Sequence, residues 1–165
     1  ITIPRRSPYG GTTKGVSAAY LMLAGTTNNM QSRIDNALVI ATYDNGERDT
    51  LHLENPINWC PVNEAYNYDS HAFWTAARQP LRFRLDNGAV GRDINALAPH
   101  APDTATAAGS GSDLMLGTER DIRHGAGVIL KMPLNPKRRL RSLRLETLSN
   151  DIVAGIMAVT LERQE

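Results

Sequence analysis

Apolar and polar residues alternate most cleanly in residues 140–148, where Leu143 and Leu145 fall on one face and Arg144 and Glu146 on the other. A period of two predicts a strand with one side on a core and one side in water. Two further apolar runs flank it, residues 126–132 and 152–161, set off by Pro133, Leu134, Asn135 and Pro136 on one side and by Ser149, Asn150 and Asp151 on the other. Both separators have turn composition. The last run does not alternate. Ile156, Met157, Ala158, Val159 and Leu161 place apolar groups on both faces, as suits a strand deep in a sandwich and covered on each side. A helix is the rival reading of this run, because Ala, Met and Leu tolerate one. Gly155, the β-branched Ile152, Val153, Ile156, Val159 and Thr160, and the shortness of the run favour a strand. Leu143, Leu145, Ile156 and Val159 are predicted to share one core from adjacent strands.

The same logic extends to the rest of the chain. Residues 15–23 form a strongly apolar run that predicts a central strand, with a short helix as the lesser alternative. Runs at 37–43 and 50–53 flank Asp44, Asn45 and Gly46, and an Asn-Gly pair between strand-like runs is a hairpin signal. Leu81, Phe83 and Leu85 alternate with Arg82 and Arg84 and lead into Asp86, Asn87 and Gly88, which predicts a short half-buried strand, a second tight turn and a strand residue or two at Ala89 and Val90. Residues 1–14 have the Pro, Gly and Arg content of a lead-in that lies across the surface. Residues 91–123 are rich in Ala, Gly, Ser, Thr, Asp and Pro, the composition of a long loop. The count is about seven or eight strands, as in an all-β sandwich or jelly roll. The expected organisation is therefore a lead-in at 1–14 and a single β-sandwich domain at 15–165.

Composition narrows the partners. At 165 residues one domain with a sizeable core is expected. The net charge is +1 with both signs interspersed, so neither nucleic acid nor an acidic membrane surface is an expected partner. No apolar run reaches the roughly 18 residues of a membrane helix, and no signal-peptide pattern opens the chain. The first residue is Ile1 rather than Met, which fits a processed protein or a piece of a longer one. The single cysteine, Cys60, excludes a disulfide-built scaffold and reads as a small apolar filler.

Candidate chemistry concentrates in one stretch. Five of the nine aromatic residues, Trp59, Tyr66, Tyr68, Phe73 and Trp74, fall between residues 54 and 79, so a binding site is sought there first. A sugar site pairs flat aromatic platforms with directional hydrogen bonds from carboxylates, amides or Arg. The candidate ligand-binding residues are Trp59, Glu64, Tyr66, Tyr68, Asp69, Trp74 and Arg78, with Asn58, Asn63 and Asn67 as further hydrogen-bonding groups. The competing reading is that these aromatics fill the end of the sandwich or form an interface to a neighbouring domain. Glu64 and Asp69 are the only acid and base pair to weigh, and as isolated loop carboxylates they read as solvated. His52, His71, His100 and His124 lack metal-ligand spacing. Asp35, Asp44 and Asp69 are the loop carboxylates to consider for calcium, but no motif specifies a site. Lys137, Arg138, Arg139, Arg141 and Arg144 read as a solvated turn and strand face rather than a nucleic-acid surface. No catalytic residue, metal or cofactor is expected.

Three segments carry a family resemblance: residues 20–36, from Tyr20 through Gly25 to Asn36; residues 53–62, which include Asn55, Pro56, Trp59 and Cys60; and residues 148–161, from Leu148 through Gly155 to Leu161. Together they resemble the C-terminal domain, of uncharacterised function, that ends large secreted glycan-degrading proteins of gut bacteria. The similarity runs from about Gly15 to Arg163 and is weakest over residues 91–123. It implies a galactose-binding-like β-sandwich in an extracytoplasmic setting, periplasmic or at the cell surface, beside a glycoside hydrolase domain. The implied function is that of a non-catalytic accessory module that binds glycan or packs on the catalytic domain of a larger protein. The alternative is a stand-alone glycan-active enzyme using Glu64 or Asp69. The resemblance supplies no catalytic or sugar-binding residue.

Overall fold

A computed structural model describes residues 1–3, 15–27, 33–63, 80–92 and 124–164. Among these residues there is no helix. Eight strands run in the order β1 (Val16–Thr26), β2 (Asp35–Tyr43), β3 (Arg48–Glu54), β4 (Leu81–Arg84), β5 (Val90–Gly91), β6 (Ala126–Pro133), β7 (Leu140–Thr147) and β8 (Val153–Arg163). They form two antiparallel sheets, one of five strands in the order β5-β4-β6-β1-β8 and one of three in the order β3-β2-β7. One hydrophobic cluster joins them, with Leu21, Leu23, Val128 and Met132 from the larger sheet and Val39, Tyr43, Leu53 and Leu143 from the smaller. The architecture is that of a β-sandwich.

The turns follow their glycines. Gly46 closes the β2–β3 hairpin at φ +88° and donates its N–H to the Tyr43 carbonyl at 3.0 Å. Gly88 does the same between β4 and β5 at φ +72°, donating to the Arg84 carbonyl at 3.0 Å. Residues 1–3 lie along the edge of β7, with Ile1 and Thr2 exposed as expected and Ile3 half-buried. Thr2 bridges Ser142, the Ile3 N–H donates to the Arg141 carbonyl at 2.9 Å, and Ile3 packs on the core. Residues 4–14 lie outside the described residues.

Three expectations change. First, β8 is not covered on both faces: it is the outermost strand of its sheet, and Val153 and Met157 are 65% and 56% exposed. Its lack of alternation comes from a bulge at Met157, where the pairing with β1 jumps from Ala158 opposite Met22 to Ile156 opposite Leu23. Ala154 and Ile156 before the bulge, and Val159 and Leu161 after it, pack on the core. Second, β7 and β8 are not neighbours in one sheet, since β7 pairs with β2 and β8 with β1. Leu143 is fully buried, while Leu145, Ile156 and Val159 are partly buried and packed against the shared core from opposite sheets. Third, β4 has no wet face. Arg82 and Arg84 are 1% and 4% exposed, and it is Leu85 that is open, at 40%. Arg82 pairs with Val128 and so shares its core-side face, where its Nη2 donates to the carbonyls of Pro61 at 3.1 Å and Ala126 at 2.8 Å. Arg84 forks onto Asp86 at 2.9 and 2.8 Å, which raises its own pKa and lowers that of the carboxylate.

Tyr43 locks the smaller sheet to the turn after β6. Its hydroxyl donates to the Asp49 carboxylate and accepts the Asn135 N–H at 2.8 Å. Burial first, and then the Asp49 contact, pushes its pKa up to about 12 from 10.0. A raised folded-state pKa contributes stability that is complete below the unfolded value and is lost as the folded value is passed. The melting temperature should therefore fall more steeply between pH 10 and 12 in the wild type than in Tyr43→Phe, as thermal scans across that range would measure. Replacing the enclosed Leu143 with Ala should cost about 2 to 5 kcal/mol in chemical denaturation, and more than the same change at half-buried Leu145.

Candidate functional site

The aromatic stretch divides at the limit of the described residues. Trp59 lies inside it and is fully buried. Its indole N–H donates to the Asn36 side chain at 3.0 Å, satisfying two buried polar groups at once. The ring edge rests against Gly25, where an added Cβ would sit 2.7 Å from Trp59 Cη2 and 2.0 Å from the Val153 carbonyl. Trp59 thus presents no face to a sugar. Asn58 is committed to the backbone as well, accepting the Glu54 N–H at 2.9 Å and donating to the His52 carbonyl at 2.8 Å. Glu64, Tyr66, Tyr68, Asp69, Trp74 and Arg78 lie outside the described residues, as do Asn67, His71 and His100.

Other candidates find local partners. Asp35 Oδ2 accepts a 2.7 Å hydrogen bond from His52 Nδ1 on the exposed side of β2 and β3. Asp44 pairs with Arg139 at 2.8 Å, Glu47 with Arg138 at 3.0 Å, and Glu146 with Arg144, so much of the basic cluster is matched by acids nearby. Among the described residues no group of three His, Cys, Asp or Glu side chains could hold a metal ion. No helix among them is long and apolar enough to cross a membrane. Cys60 is buried within the core cluster.

The open chemical surface is the outer face of the five-stranded sheet. Tyr20 on β1 sits between Lys131 on β6 and Thr160 on β8, and the next row of that face places Met22 between Ile129 and Ala158, with Leu81 beyond Ile129. The Tyr20 hydroxyl donates to Glu162 Oε2 at 2.8 Å, and Lys131 Nζ donates to the same oxygen at 2.9 Å. Lys131 Nζ also lies 5.2 Å from the centroid of the Tyr20 ring. The Lys131 and Tyr20 hydrogen bonds hold the Glu162 carboxyl below its usual range, and the Glu162 and Tyr20 contacts hold the Lys131 ammonium above its own. The result is one partly exposed ring, a charged pair at its rim and an apolar floor one row below. Sequence reasoning placed Tyr20 and Lys131 on strands and left Glu162 just past one, and did not bring the three together. The available signal was a polar interruption in each apolar run, Tyr20 in 15–23 and Lys131 in 126–132, with Glu162 directly after the third.

Comparison with known proteins finds no matching family model, no matching curated protein and no matching solved structure.

The two aromatics should separate cleanly in a mutational test. Trp59→Ala should lower stability by about 3 to 5 kcal/mol, because it empties a filled site and removes the indole donor to Asn36 Oδ1. Tyr20→Ala, on the surface, should cost about 1 kcal/mol or less. Urea denaturation of both variants checks the contrast.

Proposed function

We propose that this chain is a non-catalytic accessory module of a secreted carbohydrate-active enzyme, a galactose-binding-like jelly roll that contacts glycan outside the cytoplasm. Two observations support this reading. The two-sheet antiparallel architecture agrees with the one the resemblance implies. The carrying observation is the cluster of Lys131, Tyr20 and Glu162 on an exposed sheet face. A pyranose has one apolar face and a rim of hydroxyls. Stacked on Tyr20, it displaces the Lys131 ammonium from the ring and takes that ammonium and the Glu162 carboxylate as donor and acceptor. Met22, Ile129 and Ala158 extend an apolar floor beneath a following sugar unit. The same face also suits packing on a catalytic domain, and glycan binding is the reading to test first.

Titration calorimetry of the 165-residue chain against plant and host polysaccharides should give binding heat with at least one of them. In Tyr20→Ala the affinity should fall about tenfold or more, equivalent to about 1.4 kcal/mol, with the fold intact by circular dichroism. Incubation with the same glycans should release no sugar. Turnover that disappears in Glu64→Gln or Asp69→Asn would replace the accessory-module reading with that of an enzyme, and a complete absence of heat would remove the glycan.

A further inference from the structure

We propose that the outer edge of β8 pairs antiparallel with β8 of a second copy of this chain, about a two-fold axis passing between Met157 and Ala158. The starting point is how each sheet edge is finished. β5 is only two residues long. β3 carries Arg48, Asp49, His52 and Glu54 along seven residues. β7 is covered on its outer side by residues 1–3. Short edges, charged edges and covered edges are three ways a protein prevents unwanted strand pairing, and a bulge is a fourth. β8 has none of the first three, and its bulge shifts the phase of the strand without ending it. It is eleven residues long, it has no charged residue or proline from Val153 to Leu161, and among the described residues no strand lies on its other side.

The bulge determines what fits against that edge. Core-facing residues are Ala154 and Ile156 before it and Val159 and Leu161 after it, so the two halves mirror each other about the Met157–Ala158 peptide. Antiparallel partners directly opposite one another share a face of the sheet. An axis through that peptide sets Ile156 opposite Val159 of the copy, Ala154 opposite Leu161, and Met157 opposite Ala158, so core-facing residues meet core-facing residues throughout. An axis centred on Met157 or on Ala158 sets Ile156 opposite an outward residue and mismatches every pair beside it, and an axis centred within either half keeps phase only as far as the bulge. The bulge therefore selects one register, and its occupant is the same strand inverted. Glu162 is the sole charge in the ten-residue overlap and falls opposite Val153, leaving it about 30 Å from its counterpart at a strand rise of about 3.3 Å. Pairing covers the exposed Val153 and Met157 and produces a continuous ten-stranded sheet whose two Tyr20 faces point the same way. This rests on strand register and does not depend on the glycan reading.

Sedimentation velocity over a concentration series should show a monomer–dimer equilibrium in the 165-residue chain. Met157→Lys, which sets two like charges at the axis on an already exposed position, should shift the chain to monomer with its circular dichroism unchanged. Oxidising an equimolar mixture of Met157→Cys and Ala158→Cys chains should give the mixed disulfide dimer in excess of either self-linked dimer, because those two positions lie opposite. A wild type that stays monomeric at every concentration overturns the proposal. So does a dimer that survives Met157→Lys, or cross-linking with no preference for the mixed pair.

Discussion

The contact on which the sandwich depends is the seating of the Trp59 indole against Gly25. Gly25 lies on β1 of the larger sheet, while the Asn36 side chain that accepts the indole N–H lies on β2 of the smaller one. One side chain therefore spans both layers at the end of the core. Gly25 has no alternative there, because any Cβ would overlap the Val153 carbonyl as well as the ring. Two features of the chain path go with this contact: β1 runs close beside β8 in the same sheet, and the segment after β3 turns inward rather than running over the surface. The Val62 N–H then donates to the Gly25 carbonyl at 2.8 Å and the Ala126 N–H to the Val62 carbonyl at 2.6 Å, extending the same tie to β6.

Period and turn chemistry made most of the strands legible. The Asn45-Gly46 and Asn87-Gly88 turns sit where positive φ is needed, and the alternation of Leu143 and Arg144 matches their burial and exposure. What misled was any position where a pattern had two physical causes. Apolar residues on both faces of β8 suggested double cover, but a bulge produces the same pattern at an edge by shifting the phase halfway along. Arg82 alternates with apolar neighbours as a surface residue would, yet its guanidinium is enclosed and bonded to two backbone carbonyls, a burial that only tertiary structure reveals. Trp59 is the same kind of case, since composition cannot separate a stacking platform from a core anchor. The cluster of Tyr20, Lys131 and Glu162 was invisible because it is assembled from three strands whose mutual register no local pattern encodes.

The placement of β1 carries a kinetic consequence. Both of its neighbours, β6 and β8, come from the last quarter of the chain, so the residue pairs that satisfy Leu21 are separated from it by more than a hundred positions. Loop closure of that span must be completed before the pairing is rewarded, which makes the topology a slow one. On the ribosome, the apolar segment Val16–Thr26 emerges before the other seven strands and remains without its sheet neighbours until β6 and β8 have been made. The β2–β3 hairpin, closed locally by Gly46, and the shorter β4–β5 hairpin, closed by Gly88, are the units able to form during that wait. Assembly of the larger sheet thus waits for β6 and β8, and a chain arrested before residue 153 exposes a ready strand with one of its sides uncovered.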